Sequence, residues 1–385
     1  MAKKEKVAKN SDGKPYVIFV LQGGGALGAY QIGAYQALHE ANYLPDWVAG
    51  TSIGAINAAV IVGSRPEERL SKLEELWNEI SWPDDWRGQL VGETRRLYNV
   101  GSNMEALLFG QPNFFVPRFP APFFVPAGSP GATSFYDTSP LRATLGRLVN
   151  FDIINSGKIR LSLGTTRVRT GEMFFFDHTT DGGLTSEHVM ASGSLPPGFP
   201  AEPVDGELYW DGGCVSNTPL QAVLNEEPEG SLLVFMIDLW DARGPAPQTM
   251  DEVLWRQKQI QYASRTAHHI DETAKRRNLR HSLGLLASHL PPQALGRPEV
   301  QKALAQTSKT KMDIVHIIYH PESDQISQSD AEFSRRSIAE RRAAGYKDMK
   351  LALDRKPWTE PVSEYVGAVV HCVRGGKISS RIPTI

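Results

Sequence analysis

Apolar residues along this chain come as continuous runs and as spaced stripes, and the two forms alternate. Tyr16-Val17-Ile18-Phe19-Val20-Leu21 is a continuous run, which predicts a strand buried on both faces. Residues 26–41 then predict a helix. Trp47-Val48-Ala49 predicts a second short strand and residues 55–62 a second helix. Residues 159–166 and 173–176 predict neighbouring strands, Tyr209-Trp210 a strand end before Asp211, and residues 232–238 another buried strand. Pro245-Ala246-Pro247 marks a boundary. Beyond it, residues 250–290 predict long helices, 312–319 a strand and 330–344 a charged helix, whereas the tail from 373 to 385 carries little pattern. Strands that alternate with helices predict an α/β fold, three layers around a mostly parallel sheet.

One segment breaks the alternation. Residues 105–137 hold Phe109, Phe114, Phe115, Phe119, Phe123, Phe124 and Phe135 among six prolines, and Arg118 is the one charge between the end residues. So many prolines exclude a long helix or a central strand. An apolar loop of this kind packs on the body, lines a ligand channel or touches another surface. Phe114, Phe115, Phe123 and Phe124 are the candidates to line such a channel.

Composition narrows the partners. At 385 residues and a net charge of −2, nothing favours nucleic acid. Two cysteines, Cys214 and Cys372, make no disulfide framework, and no cluster of Cys, His and acids has metal-ligand spacing, so neither metal nor cofactor is expected. The start is lysine-rich but lacks the apolar run of a secretory signal. Residues 16–38 carry no charged side chain, yet Gln22, Gln31, Gln36 and their glycines argue for a buried strand–turn–helix over a membrane span. A cytoplasmic location is the expectation, with peripheral membrane contact and homo-oligomerisation as open readings. Arg335, Arg336, Arg341 and Arg342 are expected on a solvated helix face.

Two glycine-rich elements carry the chemistry. Gly23-Gly24-Gly25-Ala26-Leu27-Gly28 follows the first strand and opens the first helix. Gly50-Thr51-Ser52-Ile53-Gly54, a G-x-S-x-G pentapeptide, follows the second strand and opens the second helix. A strand, a sharp turn and a helix are the context in which that pentapeptide exposes a nucleophilic serine. The amides of Gly23, Gly24 and Gly25 would face the oxygen of an attacked ester carbonyl, aided by a helix N-terminus. Gly23, Gly25 and Gly28 also fit the dinucleotide fingerprint G-x-G-x-x-G, but the second strand ends in Gly50-Thr51-Ser52, without the acid that would bind a ribose. An α/β-hydrolase normally carries its serine deeper in the chain and completes it with a histidine. None of the ten histidines here lies in a motif that marks a base. Asp211, followed by Gly212-Gly213, is the better candidate, because a carboxylate beside a serine hydroxyl can serve as general base.

These blocks, with Ala191 to Phe199 between them, resemble in order those of the patatin-like phospholipases, and the chain looks most like bacterial members with a C-terminal extension. The resemblance spans about Tyr16 to Asp238. It implies a Ser52–Asp211 dyad with Gly23, Gly24 and Gly25 as the oxyanion hole. It departs from the family at Gln22, where Asp is frequent, and at Leu27, where Arg or Lys is frequent; Leu27 leaves no cation of its own near the oxyanion hole. The expected organisation is a basic arm at 1–15, a catalytic domain at 16–245 interrupted by 105–137, and a helical extension at 246–385. The expected activity is hydrolysis of lipid carboxylic esters, of the phospholipase A or lysophospholipase kind. The alternatives are a short-chain or hydroxyacyl esterase with the same dyad, and a catalytically silent lipid-binding scaffold.

Overall fold

The computed structural model describes residues 14–82, 106, 108–224, 230–308, 310–321 and 328–384. Most of the basic arm and residues 105 and 107 of the Phe/Pro-rich segment lie outside them. The first apolar run is strand β1 (Tyr16–Leu21), at the middle of a ten-stranded sheet. Its side chains alternate between the two faces: Val17, Phe19 and Leu21 enter one apolar core, Ile18 and Val20 the other. Burial on both faces is why this strand reads as continuous apolar sequence.

Parallel to β1 run β2 (Trp47–Thr51) on one side and β9 (Leu232–Asp238) on the other. β2 continues to β5 (Arg160–Arg167), which is flanked antiparallel by β6 (Met173–Asp177) and β8 (Glu207–Asp211), and β8 pairs with β7 (Glu202–Val204). A separate ribbon, β3 (Val116–Pro117) with β4 (Tyr136–Asp137), closes the base of the Phe/Pro-rich segment. Helices α1 (Ala29–Glu40), α2 (Ile53–Val62) and α3 (Arg69–Glu79) cover one face of the sheet. Three helices follow: α4 (Ser139–Leu148), α5 (Phe151–Asn155) and α6 (Ser186–Gly193). The opposite face is covered by α7 (Leu220–Leu224) and the middle of α8 (Met250–Ser288), through Ile270 and Ala274. The architecture is the expected α/β one. Among the described residues no helix is long and apolar enough to cross a membrane, and residues 16–38 form the strand–turn–helix.

The C-terminal region differs from its sequence reading in four ways. Residues 250–288 form one helix of 39 residues, begun by Thr249, whose hydroxyl accepts the Glu252 amide. After the short helices α9 (Pro292–Leu295) and α10 (Pro298–Leu304), the expected strand β10 (Met312–Ile318) joins the sheet beside β9, and two strands not expected, β11 (Ala368–Arg374) and β12 (Lys377–Arg381), extend it. The tail, expected to carry little structure, therefore holds the edge strand. Gly375-Gly376, both with positive φ, is a two-residue turn that returns the chain antiparallel.

The fourth difference concerns the arginines. Helix α11 (Arg335–Arg355) packs on α1, and Arg341 is buried beneath it, 4% exposed, so these arginines do not all share a solvated face. Arg342 pairs with Glu74 of α3 and the amide of Gln36 of α1. The two helices can touch because each presents glycine at the crossing. A Cβ on Gly33 would sit 1.8 Å from the Arg342 carbonyl oxygen, and one on Gly345 would sit 1.9 Å from the Tyr30 carbonyl oxygen.

Gly345→Ala should therefore force the helices apart and destabilise the fold by about 2–3 kcal/mol, the usual cost of overpacking. Thermal unfolding tests this, and an unchanged melting temperature would contradict the crossing.

Candidate active site

Ser52 lies where β2 ends and α2 begins, at φ 58° and ψ −127°. That left-handed conformation is costly for a residue with a Cβ and persists only when its surroundings impose it. They do so here. A Cβ on Gly50 would be 2.4 Å from the Gly54 carbonyl oxygen, and one on Gly54 would be 2.3 Å from the Leu21 carbonyl oxygen. Both flanking glycines of the pentapeptide are thus sterically required. The Ser52 amide donates to the Ser192 carbonyl and to Ser192 Oγ, each at 3.1 Å. Ser192 Oγ in turn donates to the Gly164 carbonyl at 2.7 Å.

Asp211 ends β8, opposite Thr165 of β5, and is 1% exposed. Its amide donates to the Ser194 carbonyl at 3.0 Å, so the last turn of α6 and the residue after it hold the backbones of both Ser52 and Asp211. Oδ1 accepts the Gly213 amide at 2.7 Å. Oδ2 is buried with no hydrogen bond of ordinary geometry among the described residues. Burial pushes the carboxyl up to about 7, against the opposing pull of the Ser52 hydroxyl and the Gly213 amide. The opposing pull means that the Ser52 hydroxyl stabilises the charged form of Asp211; such contacts are often long without substrate and tighten when it binds. No described histidine is hydrogen-bonded to either residue. His316 meets Asp238, His320 meets Asp241 and His371 meets Asp313.

The glycine run abuts the serine: a Cβ on Gly23 would be 2.9 Å from the Ser52 Cβ and 2.3 Å from Asn217 Oδ1. Gly23 is nevertheless already committed. Its amide donates to the Asn217 carbonyl at 3.1 Å, while its carbonyl accepts Asn217 Nδ2 at 2.7 Å and Trp240 Nε1 at 2.9 Å. This clamp takes Gly23 out of the expected trio of oxyanion donors. The amides of Gly24 and Gly25 donate to no described residue. Gly25 has φ 54°, and a Cβ there would meet the Asp330 carbonyl oxygen at 2.3 Å. The chain then makes a 3₁₀ turn, Gly25–Gly28, before α1.

Several residues that shape this loop carry no local signal in the sequence. Gln22 uses its whole amide: Oε1 accepts from Leu239 and Trp240, and Nε2 donates to Thr218 Oγ1 and the Tyr262 carbonyl. A carboxylate in its place would lack the donors. Leu27 brings no cation, but Arg341 donates to the Ala26, Ser329 and Glu332 carbonyls at 3.1, 2.9 and 2.8 Å, so a guanidinium from α11 braces the loop. Tyr262 of α8 packs tilted against Trp240, ring centroids 5.0 Å apart, and burial, Asp330 and Asp211 push its phenol up to about 12.

The four candidate phenylalanines separate. Phe114 and Phe115 are each 7% exposed and pack on Phe199, with ring centroids 6.2 and 5.2 Å away. Phe199 lies five residues beyond Ser194, in the segment that leaves the end of α6. Phe123 and Phe124 stand in solvent at 83% and 81% exposure, off that wall.

A family model described as patatin-like phospholipase matches residues 19–224, and a second, described as patatin phospholipase, matches residues 260–365. Among solved structures, VipD from Legionella pneumophila is similar over 92% of this chain and 72% of its own, at 16% identity and a TM-score of 0.36. The type III effector protein ExoU is similar over 96% of this chain and 56% of its own, at 12% identity and a TM-score of 0.32. No curated protein matches the chain.

The Asp211 environment has a measurable consequence. A carboxyl whose folded value is raised supports the fold while it is neutral, and that support is lost as pH rises through about 7. Asp211→Asn keeps the shape and cannot ionise. Its melting temperature should match wild type below about pH 4, where the carboxyl is neutral in both states, and exceed it by several degrees at pH 8.5. A gap independent of pH would contradict the burial of a titrating group.

Proposed function

Because the chain belongs to the patatin-like phospholipase family, whose members are lipid ester hydrolases, we propose that it cleaves lipid carboxylic esters with Ser52 as nucleophile and Asp211 as general base. One observation carries the reading. A buried carboxylate oxygen without an ordinary partner, on a group pushed up to about 7, belongs to the residue whose charge the Ser52 hydroxyl stabilises.

Asp211 takes the Ser52 proton as Oγ attacks the ester carbonyl. The tetrahedral oxyanion receives the Gly24 and Gly25 amides, each such donor contributing roughly 3 kcal/mol in the transition state. Collapse breaks the bond to the leaving oxygen, which takes the proton back from Asp211. Water, deprotonated by the same carboxylate, then attacks the acyl-enzyme and releases the acid and Ser52. A group that titrates near 7 suits this alternation, because it both accepts and returns a proton at neutral pH. We assign the acyl chain to the wall of Phe114, Phe115 and Phe199. We also assign the chemistry to residues 16–245, with 246–385 completing the sheet and bracing the oxyanion loop.

Three measurements test the reading. Ser52→Ala should abolish ester hydrolysis and labelling by a fluorophosphonate while leaving the fold intact; full turnover in the folded variant would overturn the assignment. Asp211→Asn should lower kcat roughly 10³-fold or more, and wild-type kcat/KM should rise with pH through about 7 as the carboxylate forms. A rate flat from pH 5.5 to 8.5 would exclude Asp211 as the base. A panel of phospholipids, lysolipids and long and short nitrophenyl esters should favour long acyl chains. Preference for acetate or butyrate would support the short-chain esterase alternative, and failure of both labelling and turnover would support the silent scaffold.

A further inference from the structure

Between Pro117 and Tyr136 the chain leaves the body of the protein as a stalked loop whose apolar side chains face outward. Phe119 is 99% exposed, Phe123 83% and Phe124 81%. Phenylalanine of this exposure, three times in six residues, is a costly arrangement in water. The loop does not collapse because its backbone is fixed. The β3–β4 ribbon ties its base, 3₁₀ turns at Pro122–Phe124 and Pro130–Thr133 set its tip, and Arg118 Nε donates to Ser134 Oγ at 3.0 Å. Five prolines, from Pro117 to Pro130, restrict the rest.

Its placement relative to the candidate site is equally specific. The Phe135 amide donates to the Pro197 carbonyl at 3.2 Å, and the Tyr136 amide to the Gly198 carbonyl at 2.9 Å. Residues 197 and 198 lie in the segment that follows the end of α6, where Ser192 and Ser194 hold Ser52 and Asp211. The loop is thus rooted on the same segment as the dyad. It carries no acidic residue from 108 to 136, and Arg118 is its one charge.

We propose that Phe119, Phe123 and Phe124 are a docking device that inserts into a lipid surface and holds the Ser52–Asp211 site at the interface where its substrate lies. The inference rests on the lipid ester reading above. A convex tip with three protruding rings suits a deformable apolar phase, into which each ring can sink. It differs from a second copy of the chain or a protein partner, either of which would have to supply a pocket for each ring. The drive is apolar burial, so docking should resist salt, unlike docking through surface charges.

The test uses the full chain and vesicles of phosphatidylcholine with phosphatidylglycerol. The variant F119S/F123S/F124S should bind vesicles about 1000-fold more weakly, since each buried ring contributes about tenfold or more. Hydrolysis of a short, soluble nitrophenyl ester should stay within about twofold, and its thermal unfolding should match wild type. In the wild-type background, Phe123→Trp should shift its emission to the blue on vesicles and be quenched by brominated lipid, at low and at about 0.5 M salt alike. Vesicle binding unchanged in the triple variant would overturn the proposal. So would a Phe123→Trp probe that stays in water while the protein is bound. A dimer that the triple substitution dissociates, with vesicle binding intact, would assign the tip to a second copy instead. Binding and quenching are read without turnover. A chain that docks but hydrolyses neither ester would sink the catalytic reading alone, whereas one that hydrolyses the soluble ester and does not dock would sink only this one.

Discussion

The ends of β1 and β2 meet so closely that backbone lies against backbone with no room for a methyl group, and the candidate site depends on that approach. Gly54 faces the carbonyl of Leu21, Gly50 faces that of Gly54, and Gly23 faces Ser52 itself. The contact fixes Ser52 in its left-handed conformation. Strain of that kind amounts to roughly 1–3 kcal/mol, and here it is offset by the packing of two strand ends and two helix starts. In return Ser52 stands beside Gly23, and the amides of Gly24 and Gly25, next along that loop, donate to no described residue.

A second constraint is electrostatic. The Asp211 carboxylate is removed from water and given one firm donor, the Gly213 amide, where a stable buried carboxylate would normally have several. Each further donor would hold its charge and weaken it as a base. The thin solvation destabilises the charged form and brings its titration into the neutral range. The stability lost there and the basicity gained have one origin.

The chain after Pro247 is structurally inseparable from this arrangement. It builds β10, β11 and β12 onto the same sheet, and α11 lies on α1 across Gly33 and Gly345. Arg341 reaches the Ala26 carbonyl, Tyr262 offers its carbonyl to Gln22, and the Asp330 carbonyl closes the space beside Gly25. The glycine loop is therefore held by contacts from both ends of the chain. A loop this rich in glycine has little stiffness of its own, which is why it needs them.

Local sequence determined the elements that local physics controls. Continuous apolar runs marked β1 and β9, because a strand covered on both faces has no polar side to show. The glycines of the pentapeptide marked the turn at Ser52, since no other residue fits there, and the four ordered blocks pointed to the family. What depends on distant partners could not be read in this way. Arg341 looks like any helix-surface arginine until α11 is laid on α1, a contact that joins residues 315 apart in sequence. Gly23 looks as free to donate as its neighbours until Asn217, 194 residues away, takes both sides of its peptide. Phe114 and Phe123 belong to one composition, yet one is sealed against Phe199 and the other stands in solvent. Spacing and residue type are local quantities, whereas burial and hydrogen-bond partners are set only when the sheet brings remote segments together. The sequence alone thus put forward Ser52, Asp211 and the glycine loop as the candidate site, and the tertiary structure decided which amides are free, which carboxylate is dry and which aromatic rings face outward.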